Sequence, residues 1–230
     1  MILATATTRL LTLLAICLLF AIKPSHSAAS SSSSSKATVE MYLRDGINDE
    51  SKSIGVITFQ YNAQDKTTRV SGKLGKVEPA GQHGFHVHSM APKVGGECKD
   101  LGSHFNPFNT THGAQTNDDK SRHVGDLGNV KADADGNVEI DITDRIIQIG
   151  TGDAQFDVAG KAMAIHVATD DLGLGNATSS NSTGNAGYIM ACGQIKIVQD
   201  NSGSSLSTTT TTTTTFTTLL AMLAFVLAML

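Results

Sequence analysis

Six of the eight histidines in this 230-residue chain fall where their spacing could serve a metal ion. His86 and His88 flank Val87 in Gly84-Phe85-His86-Val87-His88. In an extended segment alternate side chains share a face, so the two imidazoles stand about 6.7 Å apart along the strand, with Phe85 and Val87 turned the other way. Two imidazoles at that separation can grip one cation. His166 lies between Ile165 and Val167 and points opposite to both, although a lone outward histidine is more often no ligand at all. His104, His112, His123 and Asp126 gather three imidazoles and one carboxylate within 23 residues, pinned by Gly102, Pro107, Gly113 and Gly125. Four nitrogen and oxygen donors suit a closed tetrahedral zinc site, whereas a mostly imidazole set suits copper. His83, beside Gly84, is expected to be solvated, and His26 belongs to the leader described below.

The elements that must position these groups read as strands. Val39, Met41 and Leu43 alternate with polar neighbours, as do Ile57, Phe59 and Tyr61, then Val70, Gly72 and Leu74, then Val138, Ile140 and Ile142, then Met163, Ile165 and Val167, then Ile195 and Ile197. No stretch holds a helical period for three turns. Turn chemistry punctuates the runs at Asp45-Gly46, Asp135-Gly136 and Gly150-Thr151-Gly152. Short antiparallel strands at this spacing predict an all-β sandwich or flattened barrel of about eight strands. Two long stretches break the pattern, His88 to Val124 and Ala168 to Ala191, and long loops in a compact domain are usually functional.

Both ends of the chain read as addresses. In residues 1–27, Arg9 precedes the apolar run Leu10 to Ile22, and small residues follow at Ser25, Ser27, Ala28 and Ala29, the pattern of a cleaved secretory signal. That run of thirteen residues, broken only by Thr12, would span only about 20 Å of helix, too little for an uncleaved anchor. A Ser-rich linker over 28–36 leads into a domain over 37–199. A polar Ser/Thr-rich spacer over 200–218 then precedes an apolar tail over 219–230 with no basic residue after it, which is the order expected of a glycosylphosphatidylinositol signal attached near Ser202, Gly203 or Ser204. Thr208 to Thr215 could carry O-linked sugar.

Composition excludes several classes. The formal net charge is −4, and without Arg9 and Lys23 the 17 basic residues fall to 15 against 21 acidic, or −6. With no run of Lys or Arg to displace counterions, no nucleic-acid partner is expected. Cys17 leaves with the leader, so Cys98 and Cys192 are the candidate disulfide pair, closing a loop of about 95 residues worth roughly 4 kcal/mol in the chain-entropy account; two buried thiols are the alternative. Asn109, Asn176 and Asn181 head Asn-x-Ser/Thr sequons, candidate glycosylation sites in a secreted chain.

Gly84-Phe85-His86-Val87-His88, Gly102-Ser103-His104-Phe105-Asn106-Pro107, Arg122-His123-Val124-Gly125-Asp126-Leu127-Gly128-Asn129-Val130, His166 with Asp170-Asp171-Leu172-Gly173, and Thr183-Gly184-Asn185-Ala186-Gly187 ahead of Ala191-Cys192-Gly193 together resemble the copper/zinc superoxide dismutases. The resemblance runs from about residue 37 to 198, in order and at family spacing. It implies a Greek-key sandwich, the architecture the family is known for. It implies one copper per chain on His86, His88, His104 and His166, and one zinc on His104, His112, His123 and Asp126, with His104 bridging. Asp170 resembles the carboxylate that accepts from one imidazole of each metal, and Cys98 to Cys192 resembles the family's disulfide. The implied reaction converts superoxide to dioxygen and hydrogen peroxide as one copper alternates between two oxidation states. A homodimer is what the family suggests, and the tail would tether the protein to the outer leaflet of the plasma membrane; the copper donor is not legible.

One position departs from the pattern. Family members usually carry an Arg three residues before the final cysteine, where this chain has Ile189. Residues 167–191 contain no Lys or Arg to replace it, and two Asp. Because electrostatic steering changes on-rates by about 10 to 1,000-fold, reduced turnover is expected. The alternative reading is a surface copper/zinc-binding protein of this fold with little turnover.

Overall fold

The computed structural model describes residues 34–45, 49, 52–93 and 97–199; the leader, the first part of the linker, and the C-terminal spacer and tail lie outside these. Strands β1 (Ser34–Leu43), β2 (Ser53–Asn62), β3 (Thr67–Leu74), β4 (Gly81–His88), β5 (Asp126–Ala132), β6 (Val138–Asp144), β7 (Ala162–His166), β8 (Ile189–Gln194) and β9 (Lys196–Val198) form one antiparallel sheet. Its order is β2-β3-β6-β5-β4-β7-β8-β1-β9, and β1 also pairs with β2, so the sheet closes. Eight strands make the barrel, in which β1 pairs with β2 and β8, and β9 adds a short third pairing to β1. The crossovers from β3 to β4 and from β6 to β7 give it Greek-key connectivity, as the family resemblance implies, on the eight-stranded barrel that the alternation predicts.

The physical basis is the period of two. Ala37, Val39 and Met41 on β1, Ile57, Phe59 and Tyr61 on β2, and Val70 and Leu74 on β3 fill one core with Phe85, Val87, Val130, Ile140, Met163 and Ile165. Gly72 takes an inward place in that series because a Cβ there would stand 2.5 Å from the Val56 carbonyl oxygen and 3.0 Å from the Ile57 Cα. β1 reaches back to Ser34, where Ser34, Ser35 and Lys36 pair with Asn62, Tyr61 and Gln60, so the strand takes up the end of the Ser-rich stretch. The only α-helix among the described residues is α1 (Ser180–Thr183), one turn inside the β7–β8 connection. No described helix is long and apolar enough to cross a membrane.

Candidate metal centre

Three adjacent strands and two long connections converge at one place. β4 carries His86 and His88 between β5, whose first residue Asp126 pairs with His86, and β7, which ends in His166. The β4–β5 connection returns to β4 through Phe105, whose N–H donates to the Val87 carbonyl while its own carbonyl accepts from Gly125; Val87 N–H in turn donates to Gly125. This three-way lock packs Phe105 against the barrel and leaves its neighbour His104 facing His88. Asp170, in the β7–β8 connection, is held by Asn129: its N–H donates to Asn129 Oδ1 at 2.8 Å and its carbonyl accepts from Asn129 Nδ2 at 2.9 Å.

The hydrogen bonds decide which nitrogen of each ring is left for a cation. His88 Nδ1–H donates to the Gly102 carbonyl at 2.9 Å, and His166 Nδ1–H donates to the Gly187 carbonyl at 2.9 Å, so the Nε2 of each carries the lone pair. These two Nε2 atoms stand 3.2 Å apart. His86 Nε2–H donates to Asp170 Oδ2 at 2.8 Å, which frees Nδ1, and both His86 Nδ1 and His104 Nε2 are buried without a hydrogen-bond partner. Ligand atoms of His86, His88, His104 and His166 lie within 4.8 Å of one another. Four buried imidazole nitrogens, each turned inward by the bond on the opposite side of its ring, fit a copper ion.

A second set lies on the far side of His104. Its Nδ1 is 2.8 Å from Asp126 Oδ1, His123 Nδ1 is 3.1 Å from the same oxygen, and His112 Nδ1 is 3.0 Å from Asp126 Oδ2. The last contact lacks hydrogen-bond alignment, which suits a shared cation better than a bond. His86, His104, His112 and Asp126 have donor atoms within 4.8 Å of one another, but His86 Nε2 is bonded to Asp170 and His86 also belongs to the first donor set, whereas His123 Nδ1 reaches 3.4 Å from His104 Nδ1. Three imidazoles and one carboxylate fit tetrahedral zinc. Asp170 ties the two sets together, accepting from His86 with Oδ2 and from His112 Nε2–H with Oδ1 at 2.7 Å. Gly184 permits this approach, since a Cβ there would strike Asp170 Oδ1 and stand 2.5 Å from His112 Nε2.

The electrostatics favour neutral imidazoles on the first set. Burial pushes His86 far down, His88 down to about 3 and His166 down to about 4, and it lowers His104 against the pull of Asp126. His112 behaves oppositely. Burial acts downward on it, but Asp126 and Asp170 together outweigh that and raise it to about 9. Burial alone would raise the two carboxylates, yet the imidazoles bonded to them prevail, holding Asp126 far below its ordinary range and Asp170 at about 2. Metal ligands must be deprotonated, so a cation entering the second set would displace the His112 proton.

His83 corrects an expectation. It is 1% exposed, not solvated, with Nδ1 2.9 Å from the His166 carbonyl oxygen and Nε2 2.8 Å from that of Pro79, so it braces the backbone of β7 from β4. Arg122 was legible only as part of a motif. It is fully buried, paired with Asp144, and donates through Nη1 to the Asp126 carbonyl. Asn129 likewise gives no sign of its role until the β7–β8 connection is folded over it. Cys98 and Cys192 form a disulfide with Cα atoms 5.8 Å apart, among Leu101, Ala162 and Ala164. Ile189 is half-buried against that cluster. Asn109, Asn176 and Asn181 are exposed.

Comparison with known proteins agrees with this geometry. A family profile described as copper/zinc superoxide dismutase (SODC) matches residues 53–195. A superoxide dismutase [Cu-Zn] of Humicola lutea is 39% identical over 151 residues, covering 66% of this chain and 95% of that protein. Proteins of the same description from Talaromyces marneffei and Neurospora crassa are 41% identical over 143 residues (62% of this chain, 89% of the relative) and 37% identical over 153 (66% and 96%).

Proposed function

Because the chain belongs to the copper/zinc superoxide dismutase family, we propose that it converts superoxide to dioxygen and hydrogen peroxide, with copper on His86, His88, His104 and His166 and zinc on His104, His112, His123 and Asp126. The observation that carries the reading is His104, which turns an unpartnered Nε2 toward one donor set and Nδ1 toward the other. Bound copper supplies the one-electron couple that zinc lacks. Two superoxide anions and two protons are consumed for each dioxygen and each hydrogen peroxide released. His104 Nε2 is the atom where a proton can be held while Nδ1 remains with Asp126. Asp170 fixes the orientation of His86 and His112 through one carboxylate, and the Gly102 and Gly187 carbonyls fix those of His88 and His166. Dismutation by the purified protein, with copper and zinc measured on the same sample, tests the reading; full metallation with background activity would overturn it.

The place of action is the outer face of the plasma membrane. The apolar leader, the sequons and the Ser/Thr-rich spacer before a short apolar tail support secretion followed by a lipid anchor. Release of the dismutase from intact cells by a phosphatidylinositol-specific phospholipase would be expected, and retention after that treatment would count against the anchor. A second reading, a metal-binding surface protein with little turnover, is favoured by one observation. Ile189 packs toward the disulfide cluster and offers no charge to an anion.

A further inference from the structure

We propose that Arg44, from the end of β1 and outside every segment that carries a metal ligand, supplies the positive charge that draws the anionic substrate to the copper side of the site, with Tyr188 as the platform that holds it there. The proposal rests on the dismutase reading and deepens it. All four imidazoles of the copper set are buried, at 0% to 4% exposure, so an anion reaches them only past the connections that cover them. His166 Nδ1–H donates to the Gly187 carbonyl, and the next residue, Tyr188, is 58% exposed, which sets an exposed ring one residue from the hydrogen-bond partner of a copper-set imidazole. The Arg44 guanidinium carbon lies 5.2 Å from the centre of the Tyr188 ring, within cation–π range.

The backbone fixes where this charge can stand. Arg44 N–H donates to the Met190 carbonyl at 2.8 Å, and Cys98 N–H donates to the Arg44 carbonyl at 2.9 Å, so the residue is tied to the wall that bears the disulfide. β1, β8 and β7 are consecutive in the sheet, which puts the Arg44 backbone two strand spacings, roughly 10 Å, from that of His166. The carboxylates next to Arg44 and Cys98 and those after His166 are engaged elsewhere: Asp45 pairs with Lys52 at 3.7 Å, Glu97 with Lys99 at 3.1 Å and Asp100 with Lys93 at 3.8 Å, Asp170 bonds His86 and His112, and Asp171 Oδ1 accepts from Gly173 N–H and Ser180 Oγ–H. Lys161 sits over Phe105 instead, 4.1 Å from that ring's centre. A unit charge about 10 Å from an anion raises its local concentration about twofold in bulk water, and more where protein walls focus the field.

The test uses the metallated full-length protein. Arg44→Gln should lower kcat/KM about two- to fivefold at low salt, shift the ionic-strength dependence toward stronger repulsion, and weaken azide binding to the resting copper by a similar factor, read by absorbance titration. Arg44→Lys and Tyr188→Phe should keep azide affinity within about 1.5-fold, while Tyr188→Leu, which releases the guanidinium from an exposed site, should move it in the same direction as Arg44→Gln. Unchanged azide affinity and salt dependence in both Arg44→Gln and Tyr188→Leu would overturn the proposal. A fully metallated parent protein that binds azide without dismutating superoxide would overturn the dismutase reading instead, and the azide titrations would still decide the role of Arg44.

Discussion

His104 and Asp126 meet at 2.8 Å between Nδ1 and Oδ1, while the other ring nitrogen of His104 is buried with no hydrogen-bond partner. One side chain therefore belongs to both donor sets. His104→Ala should weaken retention of both metals and reduce dismutation by at least about 100-fold, since a ligand counts for more than the groups that orient it. Metal analysis after dialysis, together with the activity of reloaded protein, checks this. Selective loss of only one metal would show that the ring serves one set alone.

Asp170 bonds His86 and His112 with its two oxygens. Asp170→Asn keeps the shape but offers only one acceptor and removes the charge, so affinity for metal should fall about 10- to 100-fold. Competition with a chelator of known affinity measures it. An unchanged affinity would mean that the imidazoles are oriented by packing.

The metal-free protein should be most stable near pH 6.5. His88 and His166 have folded values near 3 and 4, mainly through burial, so below about 6.5 the unfolded chain takes up protons that the folded one refuses, and stability falls as pH drops toward 3. His112 has the opposite sign. Its value of about 9 makes its contribution complete below about 6.5 and lost as pH rises through 9. Urea midpoints of the disulfide-intact, metal-free protein should therefore decline on both sides. Zinc binding removes the His112 proton and should abolish the alkaline limb; a flat metal-free midpoint from pH 6.5 to 9 would contradict this.

Arg122 is fully buried and pairs with Asp144, whose Oδ1 also accepts from the N–H groups of Ile146 and Ile147. Arg122→Met leaves that carboxylate buried without its cation and should cost about 3–5 kcal/mol in unfolding free energy. The Asp126 carbonyl loses its donor as well, so zinc should dissociate faster. A cost below about 1 kcal/mol would show that water replaces the guanidinium.

Ile189→Arg places a cation beside the strand that ends in His166, at some loss of packing against Cys98 and Cys192. Dismutation at low salt should rise, and the increase should shrink as salt screens it over a Debye length of about 10 Å at 0.1 M. Unchanged activity in fully metallated protein would place the limit on turnover elsewhere.

Much of the fold was legible because alternation is a local property. Val39 and Met41, or Ile57 and Phe59, reveal an inward face without reference to any partner. The ligands were legible for a similar reason, since His86-Val87-His88 and the cluster from His104 to Asp126 are close in sequence and rich in donors. The burial of His83 follows from the same alternation, since it shares the face of Phe85 and Val87, but its two carbonyl partners, Pro79 and His166 on another strand, were not legible. Nor was the pairing of Arg122 with Asp144, 22 residues away on β6.

The sequence by itself determined the strands, the donor types and the family, because each is written in period, spacing and side-chain chemistry. Only the tertiary structure decided which nitrogen of each imidazole faces a cation, because that depends on carbonyls and carboxylates brought in by β4, β7 and the two long connections. It also decided where a positive charge could stand. Residues 167–191 hold no Lys or Arg, yet strand pairing carries Arg44 from the other end of the domain to the Tyr188 ring, 144 positions later in the chain. Local pattern reports what a segment can do, while barrel closure settles which distant segments do it together.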